Sequence, residues 1–266
     1  MTEALKAHPN AEVPKPLRQR LRAALRRAYY FGSKYKCPFC RSHVRTFLPF
    51  GFRFPVLTEK HVVGGGYRPD ALCPICSSVD RERLLYLFMR NNTDLFETPK
   101  KFLHVAPEAR VAKILKRSAN LDYLTADISG MDVMVRMDIT DIQFPDASFD
   151  VIVCNHVLEH IVDDRKAMSE LHRTLRPDGW GILQVPISLS LTETFEDFSI
   201  TDPADRARAF GQEDHVRIYA RDYSDRLAKV GFNVAVFRWI SEPQKFGGQR
   251  NIFGLNREEA VYFVSK

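Results

Sequence analysis

The chain has 266 residues, 27% of them charged and 45% hydrophobic, with a net charge of +6 and five cysteines. That length holds one large domain plus a smaller one, and the composition is that of an ordinary soluble globular protein. No run approaches the roughly 18 apolar residues of a membrane span. The N-terminus lacks the apolar core and cleavage site of a signal peptide, so a cytoplasmic, reducing location is expected.

The positive charge is concentrated at the start. Residues 1–36 carry nine Lys and Arg against Glu3 and Glu12, a net +7, which leaves the remainder near −1. Residues 1–16, with Pro9, Pro14 and Pro16, read as a flexible leader. From Leu17 the apolar positions Leu17, Leu21, Ala24, Leu25, Ala28 and Tyr29 recur at helical spacing, with Arg18, Arg22, Arg26 and Arg27 elsewhere around the turn. The plain expectation for this helix is packing on the body of the protein. The sharper one is peripheral contact of residues 17–30 with an anionic surface, either the inner face of a membrane or a nucleic-acid backbone.

Residues 37–95 read as a zinc-ribbon-like module and a linker helix. Cys37-Pro38-Phe39-Cys40 and Cys73-Pro74-Ile75-Cys76 are two C-P-x-C units separated by 32 residues. Each places two thiolates on one tight knuckle, and two knuckles complete the closed tetrahedron of a structural Zn²⁺. The insert between them, rich in Phe, Gly and Pro, suits short strands and turns better than helix. A helix follows around Leu84, Leu85, Leu87 and Phe88.

From residue 96 to 266 short β-rich runs alternate with helical stretches, the pattern of a mainly parallel sheet. Strands are expected near 101–106, 121–126, 133–137, 149–154, 180–186, 232–237 and 260–264, and helices over 109–118, 163–175 and 222–230. Arg176-Pro177-Asp178-Gly179 is a helix exit, since Pro cannot continue a helix and Gly accepts a positive φ. Cys154, alone in an apolar run, is expected to pack as a small strand residue.

The stretch from Phe144 through Pro145-Asp146-Ala147-Ser148-Phe149-Asp150 to Asn155-His156-Val157-Leu158-Glu159-His160, followed by Glu170-Leu171-His172-Arg173-Thr174-Leu175-Arg176-Pro177-Asp178-Gly179, resembles class I S-adenosylmethionine-dependent methyltransferases of the type 11 group. The resemblance covers roughly residues 100 to 266. It implies an α/β, Rossmann-like open seven-stranded sheet with helices on both faces, S-adenosylmethionine as cofactor, and a ligand crevice at the carboxyl ends of the strands. In this family an acid and a Gly-rich turn usually end the first strand. Here His104 stands in place of the acid, and Ala106, Pro107 and Glu108 in place of the glycines, so a different local backbone is expected. Glu108 is placed to reach the cofactor's ammonium or ribose, Asp127 its ribose hydroxyls, and Asp138 its adenine segment. Asn155 and His156 are expected beside the sulfonium.

Gly211-Gln212-Glu213-Asp214-His215-Val216-Arg217-Ile218-Tyr219 resembles a segment of zinc-module methyltransferases associated with glycan-modifying gene sets. His215 is the expected general base, because a neutral imidazole takes a proton near pH 7, and His156 is a further catalytic candidate. Arg217 is the expected bidentate clamp on an acidic substrate group. The implied activity is methyl transfer to an O or N acceptor on a small molecule or glycan. The alternatives are an RNA-modifying methyltransferase reading nucleic acid through the module and basic arm, and a non-catalytic binding protein with the same fold. The near-neutral charge of residues 37–266 disfavours nucleic acid.

Overall fold

The computed structural model describes residues 16–266; the leader expected over residues 1–15 lies outside them. The first element, α1 (Leu17–Tyr30), carries the expected amphipathic pattern but buries none of it. Leu17, Leu21, Leu25 and Tyr29 are all exposed, and Arg27 reaches only the Ser42 hydroxyl. The packing expected for this face is therefore absent from the described residues.

The cysteine module is built from two knuckles of the same shape. Strands β1 (Tyr35–Lys36) and β2 (His43–Val44) pair around the first, while β3 (Leu48–Phe50) pairs with β5 (Arg68–Leu72), which runs into the second. Each knuckle closes with the amide of the residue just after its second Cys folding back: Arg41 N to Cys37 O at 2.9 Å, and Ser77 N to Cys73 O at 2.9 Å. Arg41 and Ser77 both take positive φ, 57° and 62°. The insert also holds a five-residue helix, α2 (Pro55–Glu59), and strand β4 (Val62–Val63). The helix corrects the expectation of strands and turns alone: Pro55 supplies a preset first helical position.

Helix α3 (Asp80–Asn92) joins the module to the sheet and buries Leu84, Leu85, Leu87, Phe88 and Met89. At its start Arg83 is wholly buried. It donates to the carbonyls of Ala71, Ser78, Phe253 and Gly254 and lies 4.0 Å over the Phe47 ring. One side chain thus ties the second knuckle to the C-terminal part of the chain.

The main sheet takes shape in chain order as β6 (Lys100–Val105), α4 (Ala109–Leu115), β7 (Leu121–Asp127), β8 (Val135–Arg136), β9 (Phe149–Asn155), α5 (Asp164–Thr174) and β10 (Leu175–Gln184). A long crossing segment follows, with β11 (Ile187–Ser188), β12 (Phe195–Glu196), α6 (Pro203–Phe210), β13 (Arg217–Ile218) and α7 (Tyr223–Lys229). The last strands are β14 (Asn233–Phe237) and β15 (Val261–Ser265). The seven-stranded order is β14-β15-β10-β9-β6-β7-β8. The strands from β10 to β8 are parallel and β15 is antiparallel to both its neighbours.

Both faces are covered, as a parallel sheet requires. Leu103, Val105, Ile152, Cys154 and Leu183 pack against α5 and α7, and Phe102, Val151, Val153 and Ile182 against α3 and α4. Cys154 is fully buried among apolar side chains. At Arg176-Pro177-Asp178-Gly179 the backbone is already extended when the helix ends. Leu175 pairs with Phe149, then the register shifts so that Trp180 meets Val151. The expected exit is thus a bulge in the start of β10.

The order reverses between β6 and β9, since the chain moves outward from β6 to β7 and β8 before returning to β9. Strands separating in this way open a crevice at their carboxyl ends. The insert of the cysteine module reaches that end of the sheet: β4 pairs with β11, Val63 opposite Ile187.

Candidate functional site at the strand ends

The turn after β6 is where a glycine would be expected, and Ala106 adopts the backbone of one. Its φ is +45°, and its amide donates to Ala126 O at 2.8 Å. Ala106 bears a left-handed conformation that costs an L-residue about 1–2 kcal/mol. Backbone strain of this kind is concentrated at functional sites. His156, at the end of β9, has φ +55° as well.

Glu108 stands between the two strand ends. One carboxylate oxygen meets His104 Nε2 at 2.8 Å and the other accepts from Asn155 Nδ2 at 3.0 Å. Burial works against its ionisation, but the hydrogen bonds from His104 and Asn155 outweigh it and hold the carboxyl below its usual range. The side chain retains 15% exposure. It is an anion fixed at the crevice, suited to a cationic ligand group. His104 itself is fully buried, its Nδ1 bonded to the Tyr123 hydroxyl at 2.8 Å. Both ring nitrogens are occupied, so it acts on the crevice by positioning Glu108.

Asp127 ends β7 and accepts from the amide and hydroxyl of Ser129. Beyond it Ile128, Met131 and Met134 are exposed apolar side chains, a surface for a flat ring. Asp138 is exposed and bonded to Thr140 by both amide and hydroxyl, which is the bonding of a turn-capping aspartate.

A second group of side chains lies beyond Asn155. Glu159 is 2% exposed, and one of its oxygens is 3.4 Å from His156 Nδ1. His160 Nδ1 meets Asp214 Oδ2 at 3.2 Å, and the His160 and His215 rings stand edge to face with centroids 4.6 Å apart. Four buried polar atoms here have no protein partner: His156 Nε2, Glu159 Oε2, His215 Nε2 and Glu259 Oε2. Burial raises Glu159 to about 8 and Glu259 to about 7, and lowers His215 to about 4. His156 is also pushed well down by burial and by nearby cations. Gly64, from the module insert, closes this chamber. A methyl group on it would approach Glu259 Oε1 and His156 Cε1, each at 3.4 Å.

The segment 211–219 clasps this chamber. Gly211 ends α6 with φ +88°, and a Cβ there would strike Leu57 at 2.4 Å. Val216 N donates to Glu159 O at 3.0 Å. Arg217, expected as a substrate clamp, is 1% exposed. Its guanidinium is consumed by Glu196 and by the carbonyls of Leu158, Ile161 and Val162. That corrects its role: it fixes the loop that carries Glu159 and His160. Tyr219 completes the clasp through Asp164 Oδ2 at 2.7 Å.

Residues 93–183 match the family described as "Methyltransferase domain". The matched span begins just after α3, ends within β10, and holds Ala106, Glu108, Asp127 and Asn155 to His160 in the geometry just given. Residues 93–183 are a methyltransferase domain. A Mycolicibacterium smegmatis protein named "Probable S-adenosylmethionine-dependent methyltransferase" is 34% identical over 82 residues. That alignment covers 29% of this chain and 32% of the relative, so the match spans about a third of the relative's length. Among solved structures, the cyclase SpnF is similar at TM-score 0.48 and 14% identity, covering 70% of this chain and 81% of its own. The 1,6-didemethyltoxoflavin-N1-methyltransferase of Burkholderia thailandensis is similar at TM-score 0.44 and 15% identity, covering 68% and 75%.

Of the residues at these strand ends, the sequence singled out Glu108, Asp127, Asn155, His156 and His215 as site candidates. It missed Glu159, His160 and Glu259 as members of the site. Glu159 and His160 were visible inside the Val157-Leu158-Glu159-His160 stretch, but their burial beside His215 was not. The four cysteines do converge, their sulfurs within 4.8 Å of one another. The cross-knuckle pairs Cys37–Cys76 and Cys40–Cys73 are 3.6 and 3.8 Å apart. Four sulfurs at 2.3 Å from a tetrahedral Zn²⁺ stand about 3.8 Å apart, so the donor set fits that ion.

Proposed function

We propose that the chain transfers a methyl group from S-adenosylmethionine to an O or N acceptor on a small molecule or glycan. The observation that carries this reading is Glu108, ionised and held between β6 and β9 beside the left-handed Ala106, inside the matched methyltransferase domain. Glu108 would pair with the cofactor's cationic end, Asp127 with its ribose, and the apolar Ile128, Met131 and Met134 with its adenine. The acceptor's lone pair forms the new bond to the methyl carbon while the carbon–sulfur pair leaves with sulfur. The chain's part is to align the two partners and exclude water. Any acceptor proton passes to one of the unpartnered basic atoms, His156 Nε2, His215 Nε2 or Glu259 Oε2.

Structural Zn²⁺ on Cys37, Cys40, Cys73 and Cys76 belongs to the same proposal, supported by the sulfur spacing. No position is left open for water, so its role is to hold the module that carries Gly64. The uncovered apolar stripe of α1 further supports peripheral attachment of residues 17–30 to an anionic membrane surface. Cosedimentation with anionic vesicles that survives deletion of residues 1–36 would reject that attachment. For the main reading, calorimetry with S-adenosylmethionine is the test: binding is expected, and Glu108→Gln weakens it about tenfold or more. Absence of binding to the intact chain would overturn the reading in favour of a non-catalytic fold.

A further inference from the structure

Glu159, His160 and His215 bring one carboxylate oxygen and two imidazole nitrogens within 4.8 Å of one another. Glu159 and His215 are 2% and 3% exposed, and each keeps an unpartnered atom, Oε2 and Nε2. Leaving two such atoms buried and unbonded is costly unless something binds them. From these observations we propose that the chain holds a second metal site, separate from the cysteines, in which Glu159, His160 and His215 ligate a divalent transition-metal ion.

The surroundings have the form such a site needs. A ligating histidine offers one nitrogen to the metal and donates from the other to a carbonyl or carboxylate, which sets its tautomer and direction. His215 bonds to the Phe210 carbonyl, and with Nε2 unpartnered it is Nδ1 that donates. His160 has Nδ1 engaged by Asp214 Oδ2 at 3.2 Å, which leaves Nε2 to ligate. Two imidazoles and one carboxylate form a three-ligand set with open positions, a donor choice that suits Zn²⁺, Co²⁺ and Fe²⁺ better than Mg²⁺ or Ca²⁺. Ligand atoms around such an ion stand about 3 to 3.5 Å apart, so closure by roughly an ångström of side-chain rotation completes the site. Arg217 and Val216 brace the loop from outside, which keeps the three ligands on one framework.

His156 and Glu259, each with an unpartnered atom, border the same space: His156 Nδ1 is 3.4 Å from Glu159 Oε1, and Gly64 lies against both His156 and Glu259. Resting on the methyl-transfer reading, this makes the acceptor an oxygen compound. A hydroxyl coordinated at the metal is oriented and made more acidic, while His156 and Glu259 remain free to take its proton.

The experiment is a Co²⁺ titration of full-length chain already loaded with zinc at the cysteines. One further equivalent is expected, with visible d–d absorption and no thiolate-to-cobalt charge transfer. His215→Ala and the isosteric Glu159→Gln should weaken this binding about 100-fold, and Asp214→Asn about tenfold, with circular dichroism unchanged. No cobalt bound beyond the cysteine site, or equal binding by His215→Ala and Glu159→Gln, overturns the proposal. Calorimetry with S-adenosylmethionine on the same samples separates the two readings. Cobalt binding without cofactor binding rejects methyl transfer and leaves the metal site, and the converse rejects the metal site alone.

Discussion

Arg217 donates from Nη1 to the carbonyl of Leu158 at 3.0 Å, and through that bond one sequence motif is locked onto another. The Gly211–Tyr219 segment supplies the arginine and the Val157–His160 segment supplies the carbonyl. Arg217→Ala removes the guanidinium donor to the Ile161 and Val162 carbonyls, and leaves Leu158 O with Tyr219 and Glu196 with Arg226 alone among side-chain donors. The expected loss is about 3–5 kcal/mol of folding stability, read from the urea midpoint without any substrate present. A variant of native stability with a raised KM would return Arg217 to a substrate-binding role.

His215 projects its free Nε2 into the chamber and lies apart from the Glu108–Asn155 crevice contacts. Replacing it with Ala is expected to lower methyl-transfer turnover about 100-fold or more. The Kd for S-adenosylmethionine, measured by calorimetry, should stay within about twofold. A tenfold loss of cofactor affinity with normal turnover would contradict this placement.

Glu259 is buried beside Arg68 and Arg81, and burial lifts its carboxyl to about 7. A carboxyl that binds its proton more tightly folded than unfolded favours the folded state in its protonated form. Its contribution is complete below its unfolded value near 4.5 and drains away as pH rises to about 7. Glu259→Gln should therefore be more stable than the parent at pH 8, by up to about 3 kcal/mol, and indistinguishable from it at pH 4. Thermal unfolding at the two pH values measures this. Glu159 drifts in the same direction, so some downward slope persists in the variant; an unchanged slope would show Glu259 to be solvated.

Ala106 holds a glycine's conformation with a β-carbon attached. Ala106→Gly should fold normally and bind S-adenosylmethionine at least as well as the parent. Ala106→Val, which adds a branch at positive φ, should lower stability by about 1–2 kcal/mol or more. Equal melting temperatures for the two variants would mean that the turn relaxes freely.

Arg83 is the buried cation near Cys37, Cys73 and Cys76, bonded to four carbonyls on both sides of the module boundary. Four thiolates on one Zn²⁺ carry a net charge of about −2, which this guanidinium partly balances. Elemental analysis should find one zinc at the cysteines, and Cys73→Ser or strong chelation should lower the melting temperature. Arg83→Leu should also destabilise the chain, by about 3 kcal/mol or more. Full stability after zinc removal would reject the structural role.

The architecture was legible in the sequence because its signals are local. Period-two and period-3.6 patterns, the Cys pairs and the Phe149–His160 stretch each lie within a few residues, and neighbouring backbone geometry alone makes them strands, knuckles and a strand end. The α6 helix carries an equally local signal, Asp202 as N-cap, Pro203 in the first turn and Gly211 at the C-terminal end. What the linear order does not contain is which polar side chains lose their water. Arg217 and His215 sit two positions apart on one segment. Folding spends the first on backbone carbonyls and leaves the second with a bare nitrogen facing Glu159. Burial and partnering depend on the packing of β4, α6 and the 156–164 loop together, a sum of distant contacts, and only the tertiary structure decided it.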